Sequence, residues 1–198
     1  MVLSNVAILQ ALREGRLIID PKPAPTAPSV EQKCPYDTTA IDLRLGSEIV
    51  EVHPQDPHCV IDLRNGGFVN IANIQSTRKD ITDTSPYHLL PNRFVLAKTF
   101  EKVELPIRRK GKKRQLAARI EGKSSFARCG LLVHFTAPTI HSGFAGTITL
   151  EMANLGPFEI VLYPKMYICQ LIIEEVDGIP FRNDSSFQNQ SRPGGQRA

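Results

Sequence analysis

Lys123, Ser124, Ser125 and Arg128 put two hydroxyls and two cations within six residues, with backbone N–H groups between them. Phosphate oxygens need that donor-rich setting, although a turn with solvated charges uses the same residue types. Further along, Glu151 follows Ile148 and Leu150 and precedes Met152 and Ala153, so a carboxylate stands among apolar neighbours. Burial there would raise its pKa and suit it to proton transfer. Period-two alternation equally permits an exposed glutamate on the polar face of a strand. Between the two groups, Gly143 and Gly146 bracket Phe144. The pair lets backbone approach a ligand beside an aromatic face, or makes a hairpin with a core Phe. His141 can accept a hydrogen bond from a hydroxyl when neutral, or fill a turn.

The elements that must hold these residues are mostly strands. Fifteen Pro and thirteen Gly in 198 residues point to many turns and an all-β fold, and the length suits one domain spanning 1–198. Ser4 can cap a short helix over Val6, Leu9 and Leu12, ending near Glu14 with Gly15 as its stop. Leu17 to Ile19 reads as a short strand, and Pro21, Pro23, Pro25 and Pro28 make an extended segment after it. Thr39 to Glu51 alternates on both sides of Gly46, giving two strands or one with a bulge. Asp42 and Arg44 share its polar face in a structural role. His53-Pro54, Asp56-Pro57 and Asn65-Gly66-Gly67 are turns around short apolar runs such as Cys59 to Leu63. Phe158 to Leu162 and Tyr167 to Ile173 form two strands around Pro164-Lys165. The tail from Asn183 is polar enough to read as disordered.

The formal charge of +4 comes from one run, Arg108 to Arg114, which reads as a solvated hairpin tip between strands. No aromatic platform or groove-reading motif accompanies it, so no nucleic-acid partner is expected. No apolar stretch is long enough to span a bilayer and the first residues lack a signal-peptide pattern, which predicts a cytoplasmic protein without a membrane partner. Cys34, Cys59, Cys129 and Cys169 form no C-x-x-C pair, so no zinc site is expected and free, mostly buried thiols are.

Three segments in order, Lys123 to Arg128, Val133 to Ala137 and Gly143 to Glu151, read KSSFAR, VHFTA and GFAGTITLE. Together they resemble the core of the dCTP deaminases, members of the dUTPase-like superfamily. Ile41 to Gly46 is similar to that family's early D-L-R-L-G element. Leu89 to Thr99 with Val103 to Pro106 is similar to its L-x-P-G-x-F-x-L-A-x-T…V-x-L-P stretch. Asn92 stands where Gly is usual, and Asn is the residue best able to take a left-handed turn position. Ile168 to Leu171 continues the pattern, and Phe187 to Gln190 matches a C-terminal segment that closes over bound nucleotide in these enzymes.

The resemblance implies a distorted β-barrel or jelly roll of the dUTPase-like, β-clip type with a short N-terminal helix, assembled as a homotrimer. It implies deamination of dCTP to dUTP and ammonia, with Glu151 activating water beside Ser124 and the Ala137 backbone while Arg128 orients Glu151. Nucleotide contacts then fall to Lys123, Ser124, Ser125, Phe126, Ala127 and Arg128, with His141 and Phe144 at the sugar and Thr149 and Leu150 beside Glu151. Phe181, Ser186 and Gln190 complete the set. Mg2+ would arrive on the substrate triphosphate, without zinc, since the H-x-E and P-C-x-x-C signature of zinc deaminases is missing from the sequence. Lys123 replaces the usual Arg, His141 an Asp, Ser186 a Lys, and Phe181 a phosphate-contacting Tyr. Loss of the Asp favours deamination over dUTP hydrolysis. The alternatives are a bifunctional deaminase and dUTP diphosphatase or a dUTPase, with dUTP or dTTP as ligands, and a nucleotide-binding regulatory protein without turnover.

Overall fold

Ser4 opens the helix α1 (Asn5–Arg13): its hydroxyl accepts from the Ala7 N–H, and Ile8 and Ala11 are buried. Gly15 ends it at φ +62, the left-handed stop that its position predicts. The computed structural model describes residues 1–53, 64, 76–108 and 113–181.

The remaining elements are nearly all strands. In chain order they are β1 (Ile18–Asp20), β2 (Tyr36–Asp37), β3 (Ala40–Arg44), β4 (Glu48–Val52), β5 (Ser76–Asp80), β6 (Tyr87–Leu89), β7 (Phe94–Glu104) and β8 (Gln115–Gly122). There follow a one-turn helix α2 (Ser124–Ala127), β9 (Leu131–Val133), β10 (Thr139–Ile140), β11 (Ala145–Asn154), β12 (Ile160–Leu162) and β13 (Tyr167–Val176). One sheet runs β5-β4-β7-β11-β9, with β1 also on β7; the second runs β10-β8-β13-β3-β2; β12 pairs with β6. Neither path closes on itself among the described residues, so the expected distorted barrel takes the form of an open, sandwich-like pair of sheets. Their apolar faces meet in one cluster, with Ile41 and Ile120 from one sheet and Leu150 and Met152 from the other. Each such side chain contributes about 1.5–3 kcal/mol on burial.

The polar–apolar alternation of the sequence sets most of this. From Ile148 to Met152 every second residue of β11 is buried, which fixes the register of the strand. Asn92 has φ 60, so it takes the left-handed turn before β7 as its residue type predicts. The Thr39 to Glu51 stretch is two strands, β3 and β4.

Three expectations are corrected. β3 is not half-exposed: Ala40 to Leu43 are all buried, because it lies inside its sheet between β13 and β2. The basic run is not a hairpin tip, since β7 and β8 belong to different sheets and the run crosses between them. Its ends are tied to the foot of α1, where Arg108 Nη2 donates to the Gly15 carbonyl at 2.8 Å and Lys113 pairs with Glu14. Among the described residues thiols are less buried than expected: Cys169 is buried, but Cys34 is partly buried and Cys129 is exposed. The turns and apolar run predicted over 54–63 and 65–67, residues 109–112 of the basic run and the tail from 182 lie outside the described residues.

Candidate functional site

β8 ends at Gly122 against Cys169 of β13, and the chain turns at once into α2. Lys123 caps it in an extended conformation, its carbonyl accepting from the Phe126 and Ala127 N–H groups. Ser124, Ser125, Ala127 and Arg128 face solvent, while Phe126 packs against the core. The six residues that sequence chemistry singled out are therefore one exposed turn anchored by one aromatic ring. Among the described residues Arg128 makes no ion pair with Glu151. Lys123 is different from its neighbours: its ammonium reaches inward to Asp42 Oδ1 at 2.5 Å, and its side chain is 14% exposed.

The turn is held from behind by two glycines. Gly130 has φ +92, and a Cβ built on it would stand 2.2 Å from the Gly156 nitrogen. The Leu155 N–H donates to the Gly130 carbonyl at 2.8 Å. This backbone contact leads α2 into β9, which pairs antiparallel with β11 at Val133↔Met152.

One residue beyond that pair, His134 adopts φ 54. Its N–H donates to the Glu151 carbonyl at 2.7 Å, and its Nδ1 lies 2.7 Å from Glu151 Oε2. The carboxylate accepts, so Nδ1 carries the proton. The imidazole is 7% exposed and the carboxylate 37%. Burial pushes the Glu151 pKa up, but the hydrogen bond and charge of His134 outweigh it and hold the carboxyl below its usual range. That corrects the expectation of a raised pKa, and within one chain the side chain that holds the carboxylate is His134. His134 Nε2 is buried with no hydrogen-bond partner among the described residues.

Thr149 shares the partly exposed face of β11 with Glu151, whereas Leu150 is 0% exposed and turned into the core, leaving only its backbone for a ligand. Ala137 is exposed in the loop after His134. His141 and Phe144 stand at the other end of β11. His141 is exposed, and its carbonyl accepts from the Phe144 N–H at 3.1 Å. Phe144 packs against the core, and its carbonyl accepts from Leu105 at 2.9 Å. Phe144 immediately precedes β11 and Glu151 is near its far end; along an extended strand that is roughly 20 Å. One chain thus carries two groups of candidate residues: α2 with His134 and Glu151, and His141 with Phe144.

A family model described as dCTP deaminase-like matches residues 2–176. The chain belongs to the dCTP deaminase-like family. Within that family it is 33% identical over 202 residues to a protein of Dictyoglomus thermophilum named "dCTP deaminase, dUMP-forming", covering 100% of this chain and 94% of the relative. It is 34% identical over 177 residues to the "dCTP deaminase" of Rhodospirillum rubrum, covering 88% and 82%. The crystal structure of 2'-deoxycytidine 5'-triphosphate deaminase from Agrobacterium tumefaciens shares the fold, with a TM-score of 0.60 at 19% identity over 88% of this chain. This dCTP deaminase-like chain spans about half of that longer one, covering 48%.

Sequence reasoning about this dCTP deaminase-like chain missed the role of His134. It lay inside the VHFTA segment, but a histidine's cross-strand partner depends on register that the sequence does not carry. Phe181 is 88% exposed, at the edge of the described residues, and Ser186 and Gln190 lie outside them. Among the described residues no group of three or more His, Cys, Asp or Glu could hold a metal, and no helix is long and apolar enough to cross a membrane.

Proposed function

We propose that the protein deaminates dCTP to dUTP and ammonia, with Glu151 as the base. The observation that carries this reading is the His134–Glu151 pair: a partly buried carboxylate kept ionised and fixed in direction by a histidine. An ionised glutamate can accept a proton from water at neutral pH. Glu151 takes that proton from a water beside Ser124 and the Ala137 backbone, and the hydroxide adds to C4 of cytosine. The Glu151 carboxyl then returns the proton to the amino nitrogen. The C4–N bond breaks and ammonia leaves as the C4–N3 double bond re-forms, and the proton of the added oxygen then passes to N3, which gives the C4 carbonyl of uracil. Because His134 already holds Glu151, Arg128 is assigned to charge at the reacting end and the phosphates.

The phosphates fall to Lys123, Ser124, Ser125 and Arg128, with the Phe126 and Ala127 backbone beside them, and Mg2+ comes on the triphosphate oxygens. His141 and Phe144 take the deoxyribose. Since they stand far along β11 from Glu151, we place the pocket between copies of the chain, in a homotrimer. The segment 183–198, with Ser186 and Gln190, closes over the nucleotide as part of one domain spanning 1–198, in a cytoplasmic enzyme.

A second reading is supported by the Dictyoglomus relative, whose name states that it forms dUMP. In that case the same protein would also release pyrophosphate. His141 in place of a carboxylate speaks against it, since a neutral imidazole next to the sugar is a weaker activator of water at the α-phosphate.

The deciding experiment incubates the protein with dCTP, and separately with dUTP and magnesium, and measures ammonia and pyrophosphate. Ammonia from dCTP with dUTP left intact supports the first reading. Pyrophosphate from either nucleotide supports the second, and nucleotide binding without either product overturns both.

A further inference from the structure

Asp42 of β3 is a buried carboxylate that receives two ammonium groups at once. Lys123 Nζ lies on one oxygen at 2.5 Å and Lys33 Nζ on the other at 2.9 Å, with the Asp42 side chain 2% exposed. Gln170 Nε2 of β13 also donates to Asp42 Oδ1, at 3.3 Å, and to Asp37 Oδ2 at 3.2 Å. Lys33 reaches this point from the extended segment before β2, and its ammonium lies 5.1 Å from the centre of the Tyr167 ring. Its side chain is 60% exposed, against 14% for Lys123.

One carboxylate neutralises one cation. The second ammonium is not matched at Asp42 itself; the other acid among these contacts, Asp37, is exposed, accepts from Gln170 and attracts Lys33 through solvent. The placement of the pair matters more than its net charge. Lys123 is the residue that caps α2, so the lysine pair stands at the root of the turn that offers the Ser124 and Ser125 hydroxyls to solvent. Two ammonium groups held close together on one buried carboxylate lose little further entropy on meeting a multiply charged anion, and the Asp42 bond keeps Lys33 protonated.

We propose that Lys33 is a second cation of the phosphate-binding end, paired with Lys123 across Asp42 and contacting the polyphosphate tail of a nucleoside triphosphate. The proposal rests on the deamination reading above and adds a residue that lies some ninety positions before the serine turn in the chain. Lys33 supplies exposed charge, Lys123 the better-buried anchor, and Asp42 fixes the distance between them without cancelling both.

The test uses the full-length protein with Lys33→Met and Lys33→Arg. Ammonia release from dCTP gives KM and kcat; inorganic tripolyphosphate and deoxycytidine are run as competing inhibitors. Lys33→Met should raise the KM for dCTP and the inhibition constant of tripolyphosphate by the same factor, about fivefold for one partly exposed ionic contact. The loss should fall on KM rather than kcat, leave deoxycytidine inhibition unmoved, and be recovered in Lys33→Arg. If the unmodified protein releases ammonia while Lys33→Met keeps the original KM and tripolyphosphate inhibition, the inference fails and deamination stands. Equal weakening of tripolyphosphate and deoxycytidine, with a lowered melting temperature, makes Lys33 a structural support of Asp42 and overturns it as well. No ammonia from the unmodified protein removes the deamination reading and this inference with it.

Discussion

His134 fixes Glu151 twice, through a 2.7 Å hydrogen bond to its backbone carbonyl and a 2.7 Å contact to its carboxylate. The first sets where the strand stands and the second where the side chain points. Removing the imidazole leaves the burial that opposes ionisation and takes away the partner that outweighs it. His134→Asn should therefore shift the acidic limb of the kcat/KM profile for ammonia release to higher pH, because the base then protonates earlier. An acidic limb that stays in place would show that His134 does not govern the ionisation of Glu151.

Glu151→Gln keeps the shape of the side chain and loses its basicity. Ammonia release should drop by roughly 10²–10⁴-fold, the usual share of a positioned base, while dCTP binding measured by calorimetry persists. Full turnover in this variant would sink the assignment of the base.

Acid should loosen the fold through the same carboxylates. Burial raises the Asp42 pKa, but the Lys123 and Lys33 bonds outweigh it and hold the group below the usual range; Glu151 is also lowered. A depressed folded-state pKa contributes stability that is complete above the unfolded value and is lost as pH falls through the folded one. The melting temperature should fall on acidification below about pH 4, the ordinary carboxylate pKa. Asp42→Ala, which leaves the mostly buried Lys123 ammonium without its partner, should cost about 3 kcal/mol at neutral pH and flatten that acid dependence. Chemical denaturation at pH 7 and pH 3 measures both effects.

Asn92, at φ 60, should tolerate Gly with little change and lose about 1 kcal/mol on replacement by Ala, which pays the left-handed penalty without a compensating side chain. Equal stabilities for the two variants in urea would contradict the turn geometry.

Gly156→Ala puts a methyl group 2.1 Å from the Cys129 carbonyl oxygen. The backbone must part, at a cost of about 3 kcal/mol, and the serine turn moves with it. A variant that unfolds at the same denaturant midpoint and keeps the dCTP KM would remove this contact as a support of α2.

Local chemistry was legible in the sequence. Ser4 and Gly15 mark both ends of α1, Asn92 announces a left-handed turn, and the alternation from Ile148 to Met152 gives a strand with Glu151 on its outer face. Long-range pairing was not. Asp42 reads as one polar residue of a half-exposed strand, and only the fold brings Lys123 to it across 81 positions. Asn154 looks unremarkable between Ala153 and Leu155, yet its fully buried amide donates to the Leu89 and Phe158 carbonyls at 2.9 and 2.7 Å. The charge of Glu151 was misjudged for the same reason: its apolar sequence neighbours face the core, while its partner comes from the adjacent strand.

The Leu3 N–H donates to the Ile173 carbonyl at 2.9 Å, Val2 bridges to Glu174, and the Glu175 N–H donates to the Met1 carbonyl. The β13 strand that receives these bonds also lines the Asp42 network through Gln170. Closing a loop of roughly 170 residues is entropically late, and such non-local pairing slows folding. The serine turn and the lysine pair therefore reach their final arrangement only after β13 has been made, so a ribosome-bound chain that ends before that strand should be inert toward nucleotide even though the serine turn, His134 and Glu151 are already synthesised.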